Sequence, residues 1–215
     1  MKYIVFILIS FFLIGCGSEP DYYITSKYNK MGVVDKDGNL VIKHIYDKIY
    51  LFNNQGYAKV QNFHGKFGAI DIHNHIKLDI IYDSIGEFYN GLAIVKLNNK
   101  FGLIDSNYNI VVKPIYDKID DFIEGTSIVT LNNKVGCINT KLELKLDPVY
   151  TNIYPSNNDY RRIQLENKFG FIDKKCNIVI PLIYDFVDDF KDGIAKVKLK
   201  NEEFYINKQG KELPH

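Results

Sequence analysis

The chain has 215 residues and is nearly neutral, with 27 basic and 26 acidic side chains. Hydrophobic residues make up 46% of it, which is enough to bury a core. No run of basic residues is longer than two, so the sequence offers no cluster that would attract a phosphate backbone. These features argue against nucleic acid as a partner.

The first sixteen residues resemble a bacterial lipoprotein signal. Lys2 precedes an apolar stretch that is too short to span a bilayer comfortably, and the stretch ends in Leu13-Ile14-Gly15-Cys16. This ending resembles the lipobox, in which the cysteine becomes the mature N-terminus and carries acyl chains. The resemblance implies a signal peptide over residues 1–15 and stable membrane anchoring through Cys16 without a transmembrane helix. A plain signal peptide and an uncleaved N-terminal helix are the alternatives.

The domain boundaries follow from this signal. Residues 16–21 form a short tether, and residues 22–215 form a repeat domain. Gly17, rather than Asp, follows Cys16, which in a two-membrane cell fits the sorting pattern that permits transfer to the outer membrane. We therefore expect an exported protein that is lipid-anchored to a bacterial membrane, with the periplasmic or surface side of the outer membrane favoured.

Five copies of one unit follow the tether at a nearly fixed period. Each copy begins with a bulky apolar residue and a Gly, and these glycines are 36, 34, 34 and 34 residues apart. Such a period is typical of one supersecondary unit repeated in series. The copies begin at Met31-Gly32, Phe67-Gly68, Phe101-Gly102, Val135-Gly136 and Phe169-Gly170.

Each copy carries three β-strand patterns. The first strand ends in Asp or Asn, a second apolar stretch follows a polar turn, and most copies close on an alternating Gly-x-Ala-x-Val strand. In three units the second stretch reaches a proline, at Pro114, Pro148 and Pro181. The predicted fold is all-β, a tandem array of about five 34-residue, three-stranded units. We favour an open, solenoid-like array, because 34 residues are few for a four-stranded blade; a closed, propeller-like ring is the alternative.

These patterns together resemble the bacterial WG-repeat family, also called KWG repeats. The shared pattern is aromatic-Gly-x-Ile-Asp, a turn, Val-Ile-Pro, Ile-Tyr-Asp, Phe and Gly-x-Ala-x-Val, and residues 168–173 are the closest copy. The resemblance covers residues 32–207. The tryptophan that names the family is replaced by Phe, Met or Val, which keeps an apolar plug and drops the indole N–H donor. The family implies β repeats with a binding or scaffolding task and no defined reaction.

Two cysteines remain besides Cys16. Cys137 occupies a strand position that holds Val, Ala, Leu or Phe in the other units, and Cys176 occupies a turn position. A disulfide between them would need the strand and the turn of neighbouring units to meet, and an oxidising compartment would permit it. We therefore favour Cys137 as a small core residue over the disulfide.

Two pairs of adjacent carboxylates invite a chemical interpretation. Asp120-Asp121 and Asp188-Asp189 occupy the same position of two units. Such pairs can perform acid–base chemistry or hold calcium, but a catalytic pair is needed only once. We interpret both pairs as solvated turns and predict no catalytic residue.

The histidines and a repeated aspartate also fit turns. His64, His73 and His75 lack the further ligands of a known metal spacing, so we predict no metal site and no cofactor. An Asp follows the repeated Tyr in four units, and we expect it to accept backbone donors in an Asx-type turn. These residues are Asp47, Asp83, Asp117 and Asp185.

The fourth unit breaks the repeat pattern. Ser156 replaces the repeated Phe, Asp159 replaces the Gly, and Arg161 replaces the small residue of the last strand. The only two arginines of the chain fall inside this break. Because local inconsistency is common at functional sites, and Tyr and Arg are enriched at binding hot spots, we predict a contact surface here. Its residues are Tyr154, Tyr160, Arg161 and Arg162, and neutral drift of one copy is the alternative.

The sequence favours a non-enzymatic, lipid-anchored envelope protein that presents a β surface to a protein or a glycan. A hydrolytic or carbohydrate-active enzyme on the same scaffold is the rival, but no nucleophile-elbow, zinc-protease or phosphate-loop motif occurs. A purely structural envelope protein is the third hypothesis, and it predicts regular copies without the break in the fourth unit.

Overall fold

The computed structural model describes residues 21–155 and 159–214. The predicted signal peptide, the predicted lipid attachment residue Cys16 and the first replaced residue of the fourth unit, Ser156, lie outside these ranges. Over the described ranges the chain forms β-strands and turns, and none of its elements is a helix able to cross a membrane. It divides into two compact units, one that ends at Pro114 and one that begins at Ile115.

The first compact unit holds three antiparallel sheets, named the first, second and third sheets. Their strand orders are β1-β2-β3, β4-β5-β6-β7 and β11-β10-β9-β8. The strands are β1 (Tyr22–Lys27), β2 (Lys30–Asp35), β3 (Leu40–Tyr46), β4 (Lys48–Phe52), β5 (Tyr57–Gln61), β6 (Phe67–Asp71), β7 (Ile76–Tyr82), β8 (Ser84–Ile85), β9 (Leu92–Leu97), β10 (Lys100–Asp105) and β11 (Ile110–Tyr116), the last of which continues two residues past the division.

The second compact unit holds the fourth, fifth and sixth sheets. Their strand orders are β12-β13-β14-β15, β16-β17-β18-β19 and β20-β21-β22. The strands are β12 (Lys118–Ile119), β13 (Thr126–Leu131), β14 (Lys134–Asn139), β15 (Leu144–Tyr150), β16 (Asn152–Ile153), β17 (Tyr160–Leu165), β18 (Lys168–Asp173), β19 (Ile178–Tyr184), β20 (Phe186–Val187), β21 (Ile194–Leu199) and β22 (Glu202–Asn207).

The structure confirms the all-β repeat fold. The three predicted strands of each unit are present, and a short additional strand after the repeated Tyr-Asp joins the following sheet as its first strand. The array begins and ends with three-stranded sheets, and the four sheets between them have four strands each. A sheet is therefore built from the end of one sequence repeat and the start of the next.

The repeat glycines are required by close approach of two backbones. At Gly170 an added Cβ would lie 2.5 Å from the carbonyl oxygen of Ile180, and at Gly68 it would lie 2.6 Å from that of Leu78. The pairing of β18 with β19 shifts register beside Gly170, as at a β-bulge. Any side chain there would collide with main-chain atoms that cannot move aside, so the Gly is a steric requirement of the fold.

The Asp or Asn that ends each first strand organises the next turn. In the fifth sheet, one Asp173 oxygen accepts hydrogen bonds from the backbone N–H groups of Lys175 (2.9 Å) and Asn177 (2.8 Å). Asp71 does the same for His73 and His75 in the second sheet. This Asx arrangement explains why the position is Asp or Asn in every repeat.

The core lies between successive sheets of each compact unit. Ile42 and Tyr46 of the first sheet pack with Ala58, Val60 and Ile70 of the second. The remaining contacts repeat the pattern: Ala69, Leu78 and Tyr82 pack with Ala93, Val95 and Ile104 of the third sheet, Cys137 and Leu146 with Ile163 and Ile172, and Phe171, Ile180 and Tyr184 with Val197 and Ile206. Because each buried Val or Ile contributes about 1.5–3 kcal/mol, a sheet depends on its neighbours for stability.

A disulfide joins Cys137 to Cys176, with their Cα atoms 6.4 Å apart. The preference for a core cysteine over the disulfide was therefore wrong, since the two cysteines are paired. The disulfide is possible because the turn between β18 and β19 folds back over β14 of the preceding sheet. Ala69 and Tyr108 occupy the corresponding positions in the second and third sheets, and they share one core cluster. The disulfide thus replaces an apolar contact that the repeat already makes.

The aspartates after the repeated Tyr link adjacent sheets instead of closing their own turn. One Asp185 oxygen accepts from Lys168 Nζ at 2.6 Å, and the other accepts from the backbone N–H of Lys200 at 2.8 Å. Asp83 likewise contacts Lys66 Nζ and the N–H of Asn98, fifteen residues later. The predicted Asx-type turn was wrong here, because the backbone donors come from the hairpin of the next sheet.

Candidate functional site

Arg161 occupies a position that the other repeats keep small and buried. Ala58, Ala93, Ser127 and Ala195 stand there and are at most 2% exposed. In β17, Arg161 pairs with Ile172 and alternates with Arg162, so the two arginines leave opposite faces of the strand. Arg161 is half-buried and points to the side on which Ile163 enters the core.

An open cavity of about 280 Å³ lies at this position between the fourth and fifth sheets. Its walls combine two carboxylates, one guanidinium, two hydroxyl residues and an apolar surface. The lining residues are Asp120, Asp121, Ile123, Thr126, Ile128, Ile153, Tyr154, Pro155 and Arg161. Concave sites of this kind, apolar with a few convergent polar groups, are typical of small-ligand binding.

The cavity lies beside one replacement in the fourth unit, Arg161. In the second sheet the repeated Phe52 pairs directly with the small residue Ala58 in the register of β4 with β5. In the sixth sheet Phe190 is 4% exposed and packs against Phe171, with ring centroids 4.7 Å apart. The sequence of the fourth unit has Ser156 in place of this Phe and Arg161 in place of the small residue.

Some polar groups of the cavity wall already have a hydrogen-bond or ion-pair partner within the protein, and others do not. Asp120 forms an ion pair with Lys118 at 2.5 Å. The Thr126 hydroxyl donates to the carbonyl oxygen of Lys174 at 2.9 Å. Across residues 21–155 and 159–214, by contrast, no hydrogen bond or ion pair engages the side chain of Arg161 or Asp121. The guanidinium and one carboxylate are thus available to a ligand.

Charged pairs surround the cavity. Lys174 contacts Glu124 at 2.8 Å, and Lys208 contacts Asp159 at 2.8 Å. The hydrogen bond to Glu124 raises the pKa of the Lys174 ammonium, and the positive charge of Arg161 opposes this rise. Lys208 lowers the pKa of Asp159 in the same way, through a hydrogen bond and its charge. Both lysines are therefore paired with carboxylates, and Arg161 supplies the cationic charge of the cavity wall.

Arg162 belongs to an arrangement that the repeat uses elsewhere. Its guanidinium lies over the ring of Tyr154, 4.6 Å from the centroid, and its Nε donates to Asp189 at 2.8 Å. In the second sheet, Lys59 lies 4.4 Å from the centroid of the Tyr50 ring and forms an ion pair with Glu87 at 3.3 Å. The two sets occupy equivalent positions, so the Tyr154–Arg162 stack is a feature of the fold.

Tyr160 also has a counterpart. Its ring meets Phe190 edge-on at 5.5 Å, and Lys208 Nζ lies 5.7 Å from its centroid. Tyr57 makes an edge-on contact with Tyr108 at 6.5 Å and has Lys77 nearby. The four residues of the predicted contact surface therefore separate: Tyr154 and Arg162 stack, Tyr160 packs against the sixth sheet, and Arg161 lines the cavity with Tyr154.

The remaining candidates lie in turns. His73 and His75 lie between β6 and β7, where His75 Nδ1 contacts Asp71 at 2.9 Å. Among the residues that the structure describes, no three His, Cys, Asp or Glu side chains are grouped closely enough to hold a metal ion. Asp189 bonds to Arg162, whereas Asp120 and Asp121 enter the cavity wall.

Sequence reasoning missed Asp120 and Asp121 as members of the site. Their signal was present: they belong to the connection between β12 and β13, and Arg161, which replaces the repeated small residue, lines the same cavity from the next sheet. The consequence of a replacement in one repeat appears in the sheet before it, because the core is shared between sheets.

Solved structures with similar architecture are distant in sequence. PorZ, a surface component of the type-IX secretion system of Porphyromonas gingivalis, is 10% identical, with a TM-score of 0.33 over 90% of this chain and 31% of PorZ. Hsv2p of Kluyveromyces lactis is 10% identical, with a TM-score of 0.35 over 87% of this chain and 71% of its own. The extracellular domain of a putative one-component system from B. thetaiotaomicron is 12% identical, with a TM-score of 0.33 over 90% and 32%. This chain thus spans about a third of the PorZ chain.

A search of curated protein sequences gave no match. The model of the WG containing repeat matches five times, at residues 31–66, 67–101, 101–134, 136–169 and 169–202. These matches reproduce the repeats found from the glycine spacing, and together they cover most of the chain. The chain therefore belongs to the WG-containing repeat family.

Proposed function

We propose that this chain is an exported, lipid-anchored binding protein without enzymatic activity, and that the cavity around Arg161 receives a glycan. The observation that carries the proposal is Arg161 itself. It stands where the repeat otherwise buries Ala or Ser, it has no partner in the described part of the chain, and it lines an open cavity beside Asp120 and Asp121.

The chemistry of the wall favours a sugar. Each sugar hydroxyl both donates and accepts hydrogen bonds, and the cavity offers a donor in Arg161 and an acceptor in Asp121. The C–H faces of a sugar ring are apolar and match Ile128, Ile153 and Pro155. A volume of about 280 Å³ suits one sugar residue of a chain better than a folded protein surface.

The absence of a nucleophile from the wall supports binding over hydrolysis. Within the described residues that line the cavity there is no Ser, Cys or His side chain, and the hydroxyl of Thr126 already donates to a backbone carbonyl. Asp120 is paired with Lys118. A hydrolase would need an activated nucleophile or two free carboxyl groups placed across the cavity.

Two features support export and anchoring. The lipobox-like sequence at residues 13–16 supports attachment through Cys16. The disulfide between Cys137 and Cys176 supports an oxidising compartment, since structural disulfides are rare in the reducing cytosol. Both point to the bacterial envelope, with the outer membrane favoured by Gly17.

A protein partner is a second candidate, favoured by the outer strands of the sheets. Each of these edge strands exposes two apolar side chains, such as Ile76 (61% exposed) and Ile81 (46%) on β7, or Ile178 (45%) and Ile183 (47%) on β19. Exposed apolar groups that recur in every repeat are typical of interaction surfaces. If a protein binds at these edge strands, replacing Arg161 should leave its binding unchanged.

The test compares the two neighbouring arginines. Binding of the purified protein to the polysaccharide and peptidoglycan fractions of the bacterial envelope is measured for wild type, Arg161→Ala and Arg162→Ala. The Arg161→Ala variant loses a charge-assisted hydrogen bond to the glycan. Its affinity should therefore be at least about tenfold lower than that of wild type. Arg162→Ala removes an equal charge from the other face of the strand and should bind as wild type does.

Equal loss in both variants would contradict the cavity as the site. Capture of a protein that is unaffected by Arg161→Ala would favour the second candidate. The anchor is tested separately: Cys16→Ser should move the protein from the detergent-extracted membrane fraction to the soluble fraction. Unchanged membrane partitioning would contradict lipid attachment.

A further inference from the structure

The hairpin tips of the first two sheets expose aromatic side chains. Tyr28, in the turn between β1 and β2, is 85% exposed, and Phe63, in the turn between β5 and β6, is 69% exposed. They are the two most exposed large apolar side chains of residues 21–155 and 159–214. Exposed aromatic rings at two hairpin tips form a candidate contact surface.

The two tips lie at the same end of the first compact unit. Asp47, which follows β3, forms an ion pair with Lys30 at the first turn. The backbone N–H of the same Asp47 donates to the carbonyl oxygen of Gln61, beside the second turn, at 2.9 Å. Because one residue reaches both hairpins, Tyr28 and Phe63 project from neighbouring turns on one side.

Lysine and histidine side chains accompany these rings. Lys27 Nζ lies 5.5 Å from the centroid of the Tyr28 ring, and the His64 ring lies against that of Phe63 with the centroids 3.7 Å apart. Lys66, at the end of the second turn, is paired with Asp83. Aromatic rings flanked by Lys or His are characteristic of protein segments at the boundary between lipid headgroups and acyl chains.

The corresponding turns of the other four sheets are polar. They are Asn98-Asn99, Asn132-Asn133, Glu166-Asn167 and Lys200-Asn201. A type I′ hairpin favours Asn because both central residues have positive φ, and Tyr28 occupies such a position at a φ of 53°. An aromatic residue at this position is therefore not explained by the turn itself.

The sheets with aromatic tips are those nearest the lipid attachment residue. Five residues lie between Cys16 and Tyr22, so the six Cα–Cα steps of the connecting segment can span at most about 20 Å. The strand β1, from Tyr22 to Lys27, is about as long. The anchor can therefore reach the level of the Tyr28 turn, but it cannot carry the first sheet far from the membrane surface.

We propose that Tyr28 and Phe63 insert into the phospholipid interface and hold the first two sheets against the membrane. The proposal rests on the lipid anchor proposed at Cys16, because two rings alone give weak and reversible membrane binding. Anchor and tips together fix two points of contact. These two contacts fix the orientation of the first compact unit relative to the membrane. A single flexible tether would leave that unit free to rotate.

The chain lacks tryptophan, which makes a direct test possible. The Tyr28→Trp and Phe63→Trp variants each contain one Trp at a tip, and Tyr205→Trp places one at a 50% exposed site on β22 as the matched control. Each detergent-extracted protein is reconstituted into vesicles of phosphatidylethanolamine and phosphatidylglycerol. Vesicle flotation reports the anchor, and Trp emission with quenching by brominated phospholipid reports the tips.

The expected result is flotation of all three variants, with emission shifted to shorter wavelength and quenched by bromolipid for Tyr28→Trp and Phe63→Trp only. Floating protein whose tip Trp remains unquenched overturns the proposal and leaves the anchor standing. A shifted emission without bromolipid quenching overturns it as well, since protein would then cover the tips. Failure of every variant to float contradicts the anchor and, with it, this inference.

Discussion

The second and fifth sheets share one arrangement of aromatic and charged side chains and differ at the interior position of Arg161. Both have a Tyr in or directly after the first strand, a Tyr at the start of the second strand, and a cation paired with a carboxylate of the following sheet. The corresponding residues are Tyr50 and Tyr154, Tyr57 and Tyr160, Lys59 and Arg162, and Glu87 and Asp189. Between them stands Ala58 in the second sheet and Arg161 in the fifth.

This difference shows which departure from the repeat coincides with the candidate site. Tyr154 and Arg162 stand out in the sequence, yet the second sheet forms the same cation–π stack from Tyr50 and Lys59. Arg161 lies on the inward face, where Ala58 is fully buried. A polar group on the inward face of a repeat brings unsatisfied hydrogen-bonding capacity toward the core, whereas polar groups outside the core extend existing ion pairs.

Exchanging the two residues gives the largest expected effect. Ala58→Arg would place a guanidinium in a fully buried site beside Phe52, and it should lower the free energy of unfolding by about 5 kcal/mol. Arg161→Ala restores the residue type of the repeat at a half-exposed site, so its change should stay within about 1 kcal/mol. Urea denaturation of both variants measures the difference.

The exchange also separates structure from binding. Arg161→Ala should weaken glycan binding while it leaves the denaturation midpoint near that of wild type. A large loss of stability in Arg161→Ala would show that the guanidinium supports the fold. An Ala58→Arg variant as stable as wild type would show that the second sheet also tolerates a guanidinium at this position. The position would then not distinguish the two sheets.

The turns of the two sheets are attached to the preceding sheet with different strengths. The turn of the fifth sheet carries Cys176, whose disulfide closes a loop of 39 residues and should contribute about 4 kcal/mol. In the second sheet, Asn74 accepts a 2.7 Å hydrogen bond from the Tyr46 hydroxyl instead. The double variant Cys137→Ala, Cys176→Ala should therefore lose about 4 kcal/mol, and Tyr46→Phe about 1 kcal/mol.

Both losses are measured by chemical denaturation under non-reducing conditions. Addition of a reductant should reproduce the effect of the double cysteine variant in wild type and in Tyr46→Phe, and it should leave the double cysteine variant itself unchanged. Equal midpoints for wild type and the double cysteine variant would contradict a stabilising disulfide, and they would indicate that the apolar contact of the other repeats is sufficient.

The sequence predicts those features that depend on local pattern. The glycines, the Asx residues such as Asp173 and the alternating strands each recur at a fixed period, and each is confirmed where it was placed. The short additional strand was not predicted, because a strand of two residues, such as Asn152 and Ile153, is too short to show a hydrophobic periodicity.

Features that depend on the neighbouring sheet could not be predicted from the sequence. The disulfide and the Asp185 contact to the N–H of Lys200 both join residues of different repeats at an offset set by packing. The roles of Arg161 and Arg162 differ because adjacent strand residues face opposite sides, and the side that is buried depends on the partner sheet. The fourth unit was therefore identified as unusual, but Asp120 and Asp121 were not assigned to its site.

The smallest expected effect concerns the aspartates by which the second and fifth sheets join the next sheet. The hydrogen bond from Lys66 lowers the pKa of the Asp83 carboxyl, and that from Lys168 lowers the pKa of Asp185. A carboxyl whose pKa is lower in the folded chain stabilises the fold above its unfolded pKa. This stabilisation is lost as the pH falls below about 4 and through the folded pKa.

Thr151 supplies a natural control for this pH dependence. It stands at the corresponding position between the fourth and fifth sheets, where its hydroxyl oxygen accepts the N–H of Glu166 at 2.9 Å without a charge. Asp83→Thr and Asp185→Thr should keep this backbone contact and remove the carboxylate. The denaturation midpoint should then fall less between pH 7 and pH 3 than it does in wild type, by a similar amount in both variants. An unchanged pH dependence would show that these carboxylates are screened by solvent and that the backbone hydrogen bond alone holds each pair of sheets together, as Thr151 already does.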